Sequence, residues 1–137
     1  MKIAKKITLF LVIAMLIVTM AGCSGTPKTE KVNAEDISSY ADPAAEKIFT
    51  GISEADYAKF SEDFDEQMKT ALPESKLKEI TDQLGTYESK ELAGADKADG
   101  YIRAFYKAKF SKIDKELTFT IVFSKDGNQK VSGLFYK

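Results

Sequence analysis

The chain has 137 residues with no histidine, no tryptophan and one cysteine, Cys23. Without imidazole there is no histidine base, and Ser-His-Asp triads, Cys-His pairs and the usual zinc sites are excluded. A lone thiol with no second cysteine or histidine has neither a disulfide nor a metal partner, so no metal and no cofactor is expected. The 8 glycines and 3 prolines form no Gly-rich phosphate loop. An excess of positive charge is also missing, with 20 Lys and Arg against 21 Asp and Glu, which argues against nucleic acid as a partner. Long hydrophobic runs are confined to the start, where an apolar stretch of about 15 residues falls short of the roughly 20 that span a bilayer as a helix.

That start is the most directive part of the chain. Lys2, Lys5 and Lys6 precede the apolar run Ile7 to Val18, and Met20-Ala21-Gly22-Cys23 closes it with small residues before the thiol. Basic residues stay at the anionic inner leaflet, the apolar run enters hydrocarbon, and Ala21 and Gly22 leave a peptidase room at the backbone. The tetrapeptide resembles the lipobox of prokaryotic lipoproteins, with methionine in place of the usual leucine. That resemblance implies a signal peptide over residues 1–22, diacylglycerol on Cys23, and a domain held at the cell membrane facing outside the cytoplasm. Cleavage would leave 115 residues, enough for one domain. Three bases leave with the leader, so 17 face 21 acids, a net charge of −4. Residues 23–33 read as the lipidated cysteine and a polar tether with an r.m.s. reach of about 15–20 Å.

Residues 34–137 read as one α+β domain. Asp42-Pro43 predicts a helix start, Ala45, Ile48, Phe49 and Ile52 share a face, and Gly51 is expected to end the helix. Ser53 and Asp56 suggest a second start, before Tyr57, Phe60, Phe64, Met68 and Leu72 at helical spacing, in one helix or in two broken near Ser61 to Phe64. Pro73 opens a further helix that Gly85 ends. Past Gly85 the apolar period falls to two, predicting antiparallel strands over 101–110 and 116–123, a weaker strand near Tyr87 to Ala93, and a last strand after Lys125-Asp126-Gly127. A three-residue hairpin loop would set Val131 opposite Ile121, Gly133 opposite Phe119 and Phe135 opposite Leu117; a two-residue loop would turn Leu134 and Tyr136 to the core. The first is favoured because it sets glycine opposite a bulky ring. The expected architecture is N-terminal helices packed on a four-stranded sheet.

Leu72-Pro73-Glu74-Ser75-Lys76-Leu77-Lys78, the Leu84-Gly85 stop and Val131-Ser132-Gly133-Leu134-Phe135-Tyr136 resemble the domain-of-unknown-function 3887 family, over about residues 40 to 137. The resemblance implies a curved sheet wrapped around helices as a cone, similar to nuclear transport factor 2-like and cystatin-like domains. It carries no catalytic residues to transfer. A cone interior would draw on Tyr57, Phe60, Tyr106, Phe119 and Ile121 as candidate cavity residues. An acid beside Tyr57 or Tyr106 would be the starting point for a carboxylate and tyrosine enzyme, although Tyr106 also reads as a plain core residue with its hydroxyl at the rim.

Other charged runs read as structure. Glu62-Asp63-Phe64-Asp65-Glu66 lacks the alternating ligands and central glycine of a calcium loop and reads as a solvated helix face, and Asp96-Lys97-Ala98-Asp99-Gly100 reads as a turn. Arg103, Lys107, Lys109 and Lys112 suggest a basic stripe on the outward sheet face. With Tyr101, Arg103, Phe105, Leu134 and Tyr136 as the candidate partner face, and Val122 beside them, that face holds more apolar bulk than solvent exposure requires. The expected function is a membrane-anchored, non-catalytic binding domain for a small apolar ligand, a peptide or an envelope protein, or one that forms a homodimer; the alternatives are the enzyme and a structural accessory module.

Overall fold

The computed structural model describes residues 29–137. The leader, Cys23 and the first half of the expected tether lie outside the described residues. Five strands form one antiparallel sheet in chain order: β1 (Thr29–Lys31), β2 (Tyr87–Ala98), β3 (Tyr101–Phe110), β4 (Leu117–Phe123) and β5 (Val131–Tyr136). Four helices precede β2: α1 (Ala34–Glu54), α2 (Tyr57–Phe60), α3 (Glu66–Ala71) and α4 (Glu74–Leu84).

The sheet has five strands where four are expected. Thr29, Glu30 and Lys31 pair with Ala98, Lys97 and Asp96, making a fifth strand out of residues expected to belong to the tether. All three are exposed. Their pairing is a matter of backbone hydrogen bonds, to which hydrophobic patterning is blind.

Helix α1 begins earlier than Asp42-Pro43 predicts. The Asn33 side chain accepts the Glu35 N–H and caps it, and Pro43 lies inside the helix. The carbonyl of Ser39, the residue four before Pro43, loses its intrahelical donor, but Ser39 is exposed and water can serve it. Nor does Gly51 end the helix. It is buried, and a Cβ on it would meet the Phe60 backbone N at 2.6 Å, so its role is close approach of α1 and α2. Ala55, with φ of 53°, ends the helix instead.

The segment from Tyr57 to Leu72 is broken, the second of the two expected forms. Asp56 caps α2 through the Lys59 N–H, and Asp65 caps α3 through the Met68 N–H at 2.8 Å. Between them Phe64 is buried and bridges Val131, so the acidic run is a turn and a cap rather than one solvated helix face. Asp65 N–H donates to the Val131 carbonyl and Val131 N–H to the Asp63 carbonyl, covering part of the β5 edge. Helix α4 starts after Pro73 and stops at Gly85, as expected.

The sheet packs one face against α1. Ala104, Tyr106, Ala108 and Phe110 of β3 and Leu117, Phe119, Ile121 and Phe123 of β4 are all buried, alternating with outward residues. They meet Ile37, Ala41, Ala44, Ala45, Ile48, Phe49 and Ile52 of α1 in the core cluster, with alanines on both sides allowing helix and sheet to approach closely. Phe49 sits at the centre, 4.8 Å from the Phe119 ring centroid and 5.9 Å from that of Phe110.

The last hairpin corrects the expected register. Its loop runs from Ser124 to Lys130, tied by the Ser124 N–H to the Lys130 carbonyl and by Asp126, whose carboxylate accepts from Ser124 Oγ and Asn128 N–H. Val131 pairs with Phe123, then a bulge at Ser132 shifts the register, so Gly133 pairs with Val122, Leu134 with Ile121, Phe135 with Thr120 and Tyr136 with Phe119. The bulge lets Val131, Leu134 and Tyr136 all face inward. Phe135 therefore turns outward.

Candidate functional site

Four of the five residues proposed for a cavity, Phe60, Tyr106, Phe119 and Ile121, are at most 1 % exposed and belong to the core cluster. Phe60 stacks edge-on against Phe64, and Tyr106 and Phe119 both pack against Phe49. Tyr57 is half-buried, and its hydroxyl donates to the Leu72 carbonyl at 3.0 Å, tying α2 to the end of α3. Surface clefts of about 520 and 570 Å³ lie elsewhere. One is bounded by Ala55, Leu77 and Thr81 with charged residues of α4, the other by Lys47, Thr50, Lys59 and the acids around them. None of the five candidates lines either.

An acid does stand beside Tyr106. Its hydroxyl donates to Asp42 Oδ1 at 2.6 Å, from the middle of the sheet to the first half of α1. Burial, then the hydrogen bond to Asp42 and that carboxylate's charge, hold the Tyr106 phenol protonated well above its ordinary range. In a carboxylate and tyrosine enzyme the phenol must point at a substrate oxygen. Here its one proton is directed at Asp42, and neither group lines the two clefts. The pair ties helix to sheet.

Outward positions of the sheet form rows across the strands. Asp96, Arg103, Val122 and Gly133 make one row, and Gly94, Phe105, Thr120 and Phe135 the next. Phe135 is 63 % exposed, the most of any large apolar residue among those described. A Cβ on Gly133 would meet Val122 at 3.1 Å and the Phe135 ring at 3.2 Å, so the missing side chain lets Phe135 lean toward Val122. At Gly94 a Cβ would meet nothing within 4 Å, and the glycine leaves a shallow space beside Phe105. The result is an apolar strip of Phe105, Val122 and Phe135.

Charge around the strip differs from the expected stripe. Arg103 is held by Asp96, with Nε donating at 2.6 Å, and lies over the Phe105 ring at 5.5 Å. Lys112 donates to the Asp82 carbonyl near the end of α4, where a cation suits the helix dipole, and so leaves the stripe. Lys107 and Lys109 stay exposed on the outward face, opposite Glu91 and Ser89. Of the partner-face candidates, Tyr101, Arg103 and Phe105 face outward as expected, whereas Leu134 and Tyr136 face inward, Tyr136 stacked on Phe119 at 5.1 Å. Phe135 replaces them, and the signal for it lay in the loop. Asp126 with Ser124 and Asn128 makes a local turn of its own, longer than three residues, and Gln129 adopts φ of 58°.

Among the described residues no three or more Asp, Glu, Cys or His converge as a metal site, and no helix is long and apolar enough to cross a membrane. No curated protein and no solved structure matches the chain. A family model described as "Protein of unknown function (DUF3887)" matches residues 45–134, from the middle of α1 to β5. The span contains the packed helices, the β2 to β5 meander and most of the outward strip, and the chain is thus a member of the DUF3887 family.

Proposed function

We propose that the protein is an extracytoplasmic lipoprotein, anchored through acylated Cys23, whose domain is a non-catalytic binding module resembling the nuclear transport factor 2-like cone. Its occupant is another envelope protein, docked on the outward sheet face. The observation that carries this reading is Phe135 at 63 % exposure beside Phe105 and Val122, set against an interior in which four of the five candidate cavity residues are buried in the core cluster. One exposed phenylalanine flanked by half-buried Phe105 and Val122 makes a narrow apolar centre, smaller than a permanent dimer interface generally needs. Lys107 and Lys109 beside it favour a partner with an acidic rim.

A photo-crosslinking phenylalanine analogue at position 135 in intact cells tests this, with the same analogue at exposed Glu116 as control. A discrete adduct at 135 that is missing at 116 supports the reading. An adduct of twice the protein's mass would make the partner a second copy, and no adduct at 135 would refute the docking face.

The enzyme reading has one observation in its favour, the 2.6 Å contact of Tyr106 with Asp42. Tyr106→Phe separates the two: crosslinking at 135 should persist in this variant, and its loss would return attention to the interior.

A further inference from the structure

The pairing of β1 has a geometric consequence for how the domain sits at the membrane. Thr29 pairs with Ala98, the last residue of β2, and so lies beside the two-residue turn Asp99-Gly100. Residues 24–28 are all that separate Cys23 from Thr29. Six steps of chain span at most about 20 Å even when fully extended. Strand β3, at roughly 3.3 Å per residue, carries the sheet some 30 Å away from that turn to the Ser111 to Glu116 connection. The sheet end with Ser111 to Glu116 therefore cannot stand on the bilayer while the Thr29 end points away from it, because the connecting chain is too short.

We propose that the end of the domain formed by the Asp99-Gly100 turn and the 124–130 loop rests against the phospholipid headgroups of the leaflet that holds the anchor. The proposal depends on the lipoprotein reading of Cys23. The composition of this end suits a headgroup neighbour. Tyr101 is 37 % exposed with the Lys125 ammonium over its ring at 4.6 Å, and Lys31, Lys97 and Lys130 are exposed around it. An aromatic ring among lysines is the pairing found where apolar and wet surfaces meet. Residues 111–116 contain no aromatic. Glu30, Asp99 and Asp126 stand among these lysines and Asp96 neutralises Arg103, so the sum of charge is close to zero. The short connection to the anchor, rather than attraction to anionic lipid, sets the orientation.

The strands then run away from the bilayer and the outward strip of Phe105, Val122 and Phe135 points sideways. A partner meeting it would stand on or in the same membrane.

The test uses full-length acylated protein in phosphatidylcholine and phosphatidylglycerol vesicles containing a headgroup-labelled acceptor lipid. Because acylation occupies the only native thiol, Asp99→Cys and Asp114→Cys can each carry a single donor dye. Energy transfer several-fold higher from position 99 than from 114 is expected, at either lipid ratio. Equal or reversed transfer from acylated protein overturns the orientation. Mass spectrometry of the same sample reports the anchor separately: an unacylated Cys23 overturns the lipoprotein reading itself. Glu30→Pro, which disrupts β1 and lengthens the free connection, should shrink the difference between the two labels, and an undiminished difference would show that β1 does not set the orientation.

Discussion

Tyr106 joins β3 to α1 through its hydroxyl. It is wholly buried, and its hydroxyl meets Asp42 at 2.6 Å. Tyr106→Phe keeps the ring packed against Phe49 and removes one hydrogen bond to a carboxylate, so a loss of about 1–2 kcal/mol is expected in denaturant titration. The sign of the pH dependence follows from the raised phenol. The unfolded chain loses this proton near pH 10 while the folded chain keeps it, so the stabilisation is complete below pH 10 and falls above it by about 1.4 kcal/mol per unit. Tyr87, pushed up to about 12 by burial and by Glu46, acts in the same direction but more weakly because it is partly exposed. Tyr106→Phe should flatten the alkaline limb of a stability against pH curve. An unchanged limb would mean that the phenol titrates freely. Gly51 sets two opposing effects against each other. Alanine in a helix gains about 1 kcal/mol over glycine, yet its Cβ would lie 2.6–2.7 Å from backbone atoms of Phe60, and overpacking of that kind costs roughly 1–3 kcal/mol. Backbone cannot step aside as a flexible side chain can, so Gly51→Ala should destabilise, and a raised melting temperature would contradict the packing described.

Among the elements, those with a buried face were legible and those held by backbone pairing alone were not. Strands β3 and β4 follow their alternation, and α4 follows its Pro73 and Gly85 signals, because one face of each is in the core. Strand β1 has no buried face and left no hydrophobic trace. In α1 a local rule lost to the tertiary structure. Pro43 reads as a helix start, yet Ile37 and Ala41, both on the buried stripe, extend the helix to Asn33. A proline in a helix interior costs about 3 kcal/mol, and here Ser39 is exposed so that water can serve its freed carbonyl, which reduces the cost; Pro43→Ala is expected to stabilise by about 1–2 kcal/mol, seen as a higher denaturant midpoint at unchanged slope. A lower midpoint would mean that the backbone angle fixed by Pro43 serves the packing of Tyr40 on Phe123. In β5 loop length alone does not set the register, because the Ser132 bulge shifts it partway along the strand. Bulges leave no periodic signature, so Phe135 lies outward where the favoured three-residue loop predicts it inward.

At the scale of the whole molecule, two phenylalanines at neighbouring strand rows carry opposite roles. Phe119 is wholly buried between Phe49, Phe110 and Tyr136, whereas Phe135, paired one row away on β5, stands 63 % exposed on the other side of the sheet. Truncating a buried phenylalanine costs about 3–5 kcal/mol, a large share of the 5–15 kcal/mol that holds a domain of this size together. An exposed one contributes within about 0.5 kcal/mol. Phe119→Ala is therefore expected to unfold the domain or nearly so, and Phe135→Ala to leave its denaturation curve in place. If Phe135 is retained for binding, Phe135→Ala in the intact cell should lose association with the envelope partner at unchanged protein level, read by chemical crosslinking through the exposed lysines Lys107 and Lys109. A variant that unfolds would make Phe135 a packing residue after all, and a stable variant that keeps its full crosslinking pattern would remove the outward strip as the docking face.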